Sequence, residues 1–321
     1  MMIGYHASHE ENGPTDLLRY VQHAEQAGFS AAMCSDHFHP WGEQQGHSAF
    51  AWSWLGAAMQ ATSLSFGTVN APGQRYHPAV IAQAAATLAY MFPGRFWVAV
   101  GSGEALNESI TGAAWPLKSQ RNARLLECVR VMRALWAGET VTHHGLVTVE
   151  EAKLYTRPER PPMIVGAAIT PATAGWMGDW ADALITVAGS RKEMQQVIDA
   201  FRSGGGADKP IFLQVHLASA PDEREAQQQA MARWRFSALD TTVLAELRRP
   251  AQFDAASSHV RIEDLSGSVR MSPDPERHLE WLQEDLAMGY ERIYLHEVGP
   301  GQERFIDLFG ERVLPELSPP S

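Results

Sequence analysis

Residues 29–41 read FSAAMCSDHFHPW, and this stretch decides the fold class. Its first part, residues 29–34, is a short apolar run of the kind that forms a buried strand. A carboxylate, two imidazoles and an indole follow, on Asp36, His37, His39 and Trp41. Packing does not require these groups, whereas parallel α/β folds place their chemistry at the C-terminal tips of strands. We therefore predict a site at this strand end, with a plain Asp36–His37 hydrogen bond in a loop as the alternative.

The same alternation of apolar run and amphipathic stretch repeats along the chain. Strands are predicted at 3–7, 29–35, 64–69, 96–101, 163–166, 183–187, 211–217 and 293–296, and a small hairpin at 147–154. Helices are predicted at 14–27, 49–62, 77–92, 119–137, 171–177, 192–202, 274–288 and 303–317. This order predicts an α/β fold, a (β/α)8 TIM barrel in one domain, residues 1–321, with an insertion at about 222–272 before the last strand. A doubly wound open sheet is the alternative, weakened because no GxGxxG follows the first strand.

The composition argues against several classes of protein. A formal net charge of −11 disfavours a face for nucleic acid or anionic lipid. The only two cysteines, Cys34 and Cys128, lie in apolar sequence and are expected to be reduced core thiols. No window resembles a signal peptide or reaches the roughly 18 apolar residues of a membrane span. We expect a cytoplasmic protein with neither nucleic acid nor membrane as a partner.

Further polar residues follow other predicted strands and would share the barrel mouth. Glu10 follows the first strand, Asn70 and Arg75 follow the third, and the fourth ends in GSGEALNE, residues 101–108. The glycines allow a ligand to approach the backbone. Glu104 in this loop could have a raised pKa suited to a general acid, or it could be an acidic residue at the start of a short helix.

The spacing of His37 and His39 also suits a metal-dependent hydrolase. Pro40 favours a turn there, and the other candidates, His216 and His296, are interpreted as ordinary strand histidines. A metal hydrolase is therefore kept only as an alternative, and no metal site is predicted.

Two long motifs in the same order resemble a known superfamily. SDHFHPW at 35–41 and GSGEALNE at 101–108 are similar to the luciferase-like flavin and deazaflavin oxidoreductases. RYHPAVIAQA at 75–84, AWP at 114–116 and RFIDLF at 304–309 also match. Within the superfamily, the chain resembles the branch typified by coenzyme F420-dependent glucose-6-phosphate dehydrogenase, including its FMN-using offshoot.

The resemblance implies a homodimeric barrel that transfers hydride between a flavin or deazaflavin and a small organic substrate. It assigns His37 as the base for a substrate hydroxyl, Glu104 as the acid near the ring, and Trp41 and Glu10 to the reacting centre. The cofactor residues that it implies are Asp36 at the ring's carbonyl edge, Asn107, Val69 and Asn70 joined by a cis peptide, and Ala167, Ala168, Ile169 and Thr170.

Two departures from the family pattern shape the expected cofactor and substrate. Ile169-Thr170 stands where the phosphate-sugar enzymes carry Gly-Gly, so we expect FMN rather than coenzyme F420, whose tail these side chains would crowd. Ser190 and Gly267 stand where those enzymes carry lysines, so glucose 6-phosphate is not the expected substrate. The alternatives are an FMN-dependent monooxygenase with a flavin reductase partner and a non-catalytic flavin-binding protein.

Overall fold

Eight parallel strands form a closed barrel in the computed structural model, which describes residues 1–317. The strands are β1 (Met2–Ala7), β2 (Ala31–Cys34), β3 (Ser65–Asn70), β4 (Phe96–Val100), β5 (Met163–Ala167), β6 (Ala183–Val187), β7 (Ile211–Ala218) and β8 (Arg292–Glu297). Each pairs in parallel with the next, and β8 pairs with β1 to close the ring. The predicted TIM barrel is therefore confirmed, and the open-sheet alternative is wrong.

An outer ring of helices follows the strands at close to the predicted positions. The helices are Pro14–Gln26, Ala51–Ala61, Pro78–Met91, Lys118–Ala137, Pro171–Trp180, Arg191–Phe201, Pro275–Ala287 and Gln302–Arg312. Proline begins four of them, because its fixed φ suits the first turn and its missing N–H has no partner there. The predicted helix 303–317 is interrupted at Val313, since Pro315 cannot donate to the preceding turn. Residues 318–321 of the predicted domain lie outside the described residues.

The hairpin and the insertion differ in detail from the prediction. The hairpin strands are Val141–His144 and Thr148–Ala152, so the hairpin begins earlier than predicted. The insertion folds into the helices Glu223–Trp234, Thr241–Glu246 and Pro250–Ala256 and ends in a short strand, Arg270–Met271, paired with the end of β7. Its buried aromatic and aliphatic side chains form a separate cluster together with Leu106. The insertion therefore packs against the loop after β4.

Large side chains fill the lower part of the barrel and leave space only at its C-terminal end. Trp97, Phe212 and Tyr294 pack together inside the ring, and the Trp97 indole N–H donates to the Tyr294 hydroxyl at 3.2 Å. Gly67 of β3 lies against this group, and a Cβ at Gly67 would overlap the Trp97 ring. The filled layer forms the base under the cavity described below.

We expect Gly67→Ala to lower the free energy of unfolding by about 1–3 kcal/mol, the usual cost of overpacking a core. Gly56→Ala is the control, because Gly56 lies in the helix Ala51–Ala61 and a Cβ there would meet no atom within 4 Å. That variant should gain up to about 1 kcal/mol from helix propensity. Urea unfolding of both variants measures the difference, and equal stabilities would contradict this packing.

No helix within residues 1–317 combines the length and the apolar character that a membrane crossing needs. Cys34 and Cys128 are both buried and unpaired, as predicted.

Candidate active site

A cavity of about 770 Å³ opens at the C-terminal ends of the barrel strands. All of the site residues predicted from the sequence line it: Glu10, Asp36, His37, Trp41, Val69, Asn70, Glu104, Asn107, Ala167, Ala168, Ile169 and Thr170. They come from the C-terminal ends of β3 and β5 and from the loops after β1, β2, β4 and β5, which parallel pairing brings to one edge.

The imidazole of His37 lies between two carboxylates. Its Nδ1 is 3.4 Å from Glu10 Oε1, and its Nε2 is 3.8 Å from Glu104 Oε2. The Glu10 side chain is 2% exposed and that of Glu104 is 35% exposed, so the two carboxylates differ sharply in their contact with solvent. Trp41 packs beside His37, with ring centroids 5.0 Å apart. An acid, an imidazole and an indole therefore share one corner of the cavity.

The surroundings move the pKa values of the two carboxyls in opposite directions. Burial raises the pKa of Glu104, and the nearby His37 opposes this only in part. Burial also acts to raise the pKa of Glu10, but His37 and the Ser35 hydroxyl, which donates at 2.5 Å, outweigh it and lower that pKa. Two carboxyls with separated pKa values can take separate roles, one holding a proton and one remaining ionised.

Glu104 lies at the N-cap position of a short helix, as the alternative interpretation expected, but its side chain does not serve as the cap. It precedes the short helix Ala105–Glu108, and its side chain makes no capping hydrogen bond there. Gly103 next to it has a φ of +80°, a conformation that favours glycine, so the loop can turn its acid towards the cavity.

Asn107 anchors the loop that carries His37. Its Oδ1 accepts hydrogen bonds from the backbone N–H groups of Phe38 at 2.8 Å and His39 at 3.3 Å. Its Nδ2 donates to Glu104 Oε2 at 3.4 Å. Asn107 thus positions both flanking groups, and the predicted contact with a cofactor ring stays a prediction.

The two histidines of the His-x-His pattern point to different partners. His39 Nδ1 lies 2.9 Å from the carbonyl oxygen of Leu106, whereas His37 faces the cavity. Within residues 1–317, no group of three or more His, Cys, Asp or Glu side chains is placed to hold a metal ion.

Asp36 is buried at the centre of a hydrogen-bond network. Its Oδ2 accepts from Asn70 Nδ2 at 2.6 Å and from Trp52 Nε1 at 3.3 Å, and its Oδ1 accepts from the Tyr76 hydroxyl at 3.0 Å. Arg75 Nη2 lies 3.6 Å from the same Oδ1 and donates to the Asp36 carbonyl oxygen at 2.6 Å. The carboxylate therefore holds the loops after β2 and β3 together. Its predicted contact with the carbonyl edge of a cofactor ring stays a prediction.

We expect Asp36→Ala to destabilise the fold by about 3–5 kcal/mol, because it breaks a buried ion pair with Arg75 and leaves the donors of Trp52, Asn70 and Tyr76 without their acceptor. Tyr76→Phe removes only one hydrogen bond to Asp36 and should lose about 1 kcal/mol. Urea unfolding compares the two variants. If Asp36→Ala unfolds no more easily than Tyr76→Phe, the carboxylate is not the structural centre of these loops.

The segments predicted to hold a cofactor offer a slot of small residues and one free acceptor. Ala167, Ala168 and Gly101 line the cavity, and Asn70 Oδ1 is buried without a hydrogen-bond partner. An unpaired buried acceptor indicates a missing donor, as a ring N–H of a flavin or deazaflavin would provide.

The predicted cis peptide between Val69 and Asn70 is wrong, as all peptide bonds within residues 1–317 are trans. Both residues instead continue β3 and pair with Ala99 and Val100 of β4. This regular parallel ladder extends the strand to the cavity edge.

Ile169 and Thr170 do not crowd the cavity as the sequence suggested. Ile169 is 52% exposed, and Thr170 Oγ1 caps the helix Pro171–Trp180 by accepting from Thr173 N at 3.4 Å. Both side chains lie at the rim. Pro171 has no N–H and the N–H of Thr173 is taken by the cap, so the N–H of Ala172, a residue that lines the cavity, is the one left at this helix start for an anionic group.

The sequence analysis missed a group of cavity residues at the ends of β1, β7 and β8. Four polar residues line the cavity there: His6, Gln214, His216 and His296. His216 and His296 were interpreted as ordinary strand histidines. The missed signal was their alternation, since every second residue of a barrel strand points inward.

The chain is similar to a known protein family and to characterised enzymes along nearly its whole length. Residues 2–303 match the family described as luciferase-like monooxygenase. The F420-dependent glucose-6-phosphate dehydrogenase of Nakamurella multipartita is 36% identical, with 98% of this chain and 96% of the relative covered. The enzyme of the same name from Beutenbergia cavernae is 34% identical, with 99% and 97% covered.

Solved structures agree over the whole length. An F420-dependent secondary alcohol dehydrogenase in complex with an F420-acetone adduct superposes with a TM-score of 0.93 and 31% identity, covering 99% of both chains. The coenzyme F420-dependent tetrahydromethanopterin reductase of Methanopyrus kandleri has a TM-score of 0.81 at 19% identity and 99% coverage of both chains, a likeness of fold alone.

Proposed function

Since this chain belongs to the luciferase-like family and is an oxidoreductase of that class, we propose that it uses the deazaflavin coenzyme F420 to oxidise an alcohol to a carbonyl compound. The observation that carries the proposal is His37 held between Glu10 and Glu104 in the cavity. Pure binding of a cofactor would need neither an imidazole nor a flanking acid. A non-catalytic flavin-binding protein is therefore not retained.

The sequence-based preference for FMN finds no support. Its premise was crowding by Ile169 and Thr170, and both side chains lie at the exposed rim. The relatives that match along the whole chain are named as F420-dependent. Coenzyme F420, the alternative cofactor, therefore takes the place of FMN.

The residues present fit such a cofactor. Asn70 Oδ1 would accept from the ring, the small side chains of Ala167 and Ala168 leave room for it, and the N–H of Ala172 in the first turn of the helix Pro171–Trp180 would donate to a phosphate group. When bound, the deazaflavin takes the hydride from the alcohol carbon, a transfer for which no side chain can substitute.

His37 is placed to accept the proton of the alcohol hydroxyl. The Glu10 carboxylate, 3.4 Å from Nδ1, favours the tautomer that carries its proton on this nitrogen. Nε2 is then free to accept the hydroxyl proton as the C–H bond breaks and the C=O bond forms. Because Glu10 has a lowered pKa, it remains ionised and stabilises the imidazolium that results.

Glu104 is the acid that we assign to proton donation in the cavity. Its raised pKa follows from burial, and Asn107 Nδ2 fixes one of its oxygens. The 3.8 Å gap to His37 Nε2 is too long for a hydrogen bond, so the acid and the base do not neutralise each other. Glu104 can therefore supply the proton that the reduced ring requires.

We expect the protein to bind coenzyme F420 more tightly than FMN, and Ile169→Gly to leave the ratio of the two dissociation constants unchanged. The physical reason is the exposure of Ile169 at the rim. Fluorescence titration with each cofactor measures the ratio. Tight FMN binding without F420 binding would overturn the proposed cofactor, and a shift in the ratio on Ile169→Gly would restore the crowding argument.

We expect His37→Asn to slow alcohol oxidation by about 10²–10⁴-fold while the fold and cofactor binding persist. His47→Asn is the control, because His47 is exposed and lies outside the cavity. Single-turnover reduction of the cofactor measures the chemical step. Loss of cofactor binding in His37→Asn would instead make His37 a binding residue.

The pH dependence tests Glu104 separately. If its protonated form is required, kcat/KM falls as pH rises through its raised pKa. Glu104→Gln cannot titrate, so this alkaline limb should disappear from the profile while the overall rate drops. An unchanged limb in Glu104→Gln would assign it to another group.

A further inference from the structure

The cavity has one polar half and one apolar half. The polar half consists of inward-facing residues of three neighbouring strands, His6 of β1, Gln214 and His216 of β7, and His296 of β8. Across the barrel, most of the cavity-lining residues of β3, β5 and β6 are apolar, namely Val69, Ala167, Ile185 and Val187, and the polar ones are Asn70 and Thr186. The apolar half contains the segments assigned above to the cofactor, so the polar half is left for the substrate.

The imidazoles of the polar half are held in a fixed arrangement. The His6 and His296 rings stack at 4.4 Å, and His216 lies 5.2 Å from His296 edge-on. Gln214 Nε2 lies 3.2 Å from His216 Nε2 and 3.5 Å from His296 Nδ1. Trp234 of the insertion covers the group, 4.8 Å from His216 and 4.7 Å from His296. These contacts fix the direction of each ring.

Two polar atoms of this half have no partner in the protein. His6 is 4% exposed and Trp234 is 5% exposed, and both line the cavity. His6 Nδ1 and Trp234 Nε1 are buried and make no hydrogen bond with the rest of residues 1–317. Because a buried polar atom without a partner is destabilising, the pair indicates a ligand with oxygen atoms that can both donate and accept.

The polar half carries no net positive charge at neutral pH. Burial lowers the pKa of His6 and His216 well below the ordinary value and lowers that of His296 to about 4. His296 Nε2 is 2.6 Å from Glu11 Oε2, and burial raises the pKa of Glu11, so the charged group nearest to these imidazoles is a carboxyl and not a cation. A phosphate or carboxylate placed here would be buried without a counter-charge, which is strongly unfavourable.

The cationic side chains that line the cavity lie outside its polar half, and each already has a partner in the protein. Arg75 pairs with Asp36 and Glu108, and Arg121 pairs with Glu246 at 3.0 Å. Lys118 donates to Ser102 Oγ at 2.7 Å on the side of β4, away from β7, β8 and β1. None of the three faces the imidazole group.

We propose that His6, His216 and Trp234 form a substrate subsite for an uncharged hydroxyl or carbonyl oxygen beyond the carbon that is oxidised. The substrate class is therefore a neutral polyol, such as an unphosphorylated sugar or a diol. This inference rests on the proposed function, because it requires that the alcohol carbon lies at His37.

A series of probes with one reacting group and different neighbours tests the subsite. Propan-2-ol, propane-1,2-diol and lactate share the CH₃–CH(OH) unit and carry a methyl, a hydroxymethyl and a carboxylate group next to it. With coenzyme F420 as the acceptor, we expect kcat/KM to be about tenfold higher for the diol than for propan-2-ol, the value of one good hydrogen bond. Lactate should fall below propan-2-ol, and glucose should exceed glucose 6-phosphate.

Matched variants separate the subsite from general packing. His6→Phe keeps a ring that can stack on His296 but removes both nitrogens, so the diol preference should fall to about onefold while propan-2-ol oxidation persists. His9→Phe is the control, because His9 is fully buried with both ring nitrogens unpartnered, packs on Trp54, and does not line the cavity. His216→Phe should also lose the diol preference. This second variant replaces the first as the test if His6→Phe fails to fold.

The outcomes distinguish this inference from the proposed function. If the wild-type protein fails to bind coenzyme F420, as measured by fluorescence, both the proposed function and the subsite are wrong. Binding together with equal kcat/KM for the diol and propan-2-ol, or with a preference for lactate, overturns the subsite alone. Binding with no turnover of any neutral alcohol or sugar also overturns it. A diol preference that survives both His6→Phe and His216→Phe places the recognition elsewhere.

Discussion

The buried ionic chain Asp36–Arg75–Glu108 is the interaction on which the site depends. Arg75 joins the carboxylate after β2 to the one after β4, and the Arg75 backbone N–H also donates to Glu108 at 2.6 Å. Three loops that are distant in sequence are therefore fixed at one level. These are the loops that carry His37, Asn70 and Glu104. Breaking either of these two buried ion pairs is costly, because it leaves a buried charge without its partner.

The pKa values of Glu10 and Glu104 are shifted in opposite directions, although both carboxyls lie in the same cavity. Glu10 has two hydroxyl donors, from Ser8 and Ser35, and an imidazole beside it, so its charged form is stabilised. Burial raises the pKa of Glu104, and His37, Arg75 and Asn107 oppose this only in part. The difference follows from hydrogen bonding rather than from residue type. One imidazole therefore has a carboxyl with a lowered pKa on one side and a carboxyl with a raised pKa on the other.

The insertion completes the cavity over the mouth of the barrel. Trp41 stacks on Phe236 of the insertion at 5.3 Å, and Trp234 extends this wall to the imidazoles of β7 and β8. On the other side, Glu246 accepts from Arg121 at 3.0 Å and from Trp115 Nε1 at 3.3 Å. These contacts reduce the access of water, which strengthens every electrostatic interaction inside. The insertion thus belongs functionally to the site, although it lies far from β2 and β4 in sequence.

The sequence by itself determined the barrel and the first half of the site. Short apolar runs, proline at helix starts and polar residues after strands are local signals, so β1 to β8 and the positions of Glu10, His37 and Glu104 followed from them. Only the tertiary structure decided side-chain direction. Ile169 turned outward and Asn107 turned to the backbone of Phe38, and neither direction can be obtained from residue type. The imidazoles of His6, His216 and His296 meet only because the barrel closes, which brings β1 beside β8 across almost the whole length of the chain. The alternation along each strand indicates that these residues point inward, but which of them meet depends on the complete ring of strands.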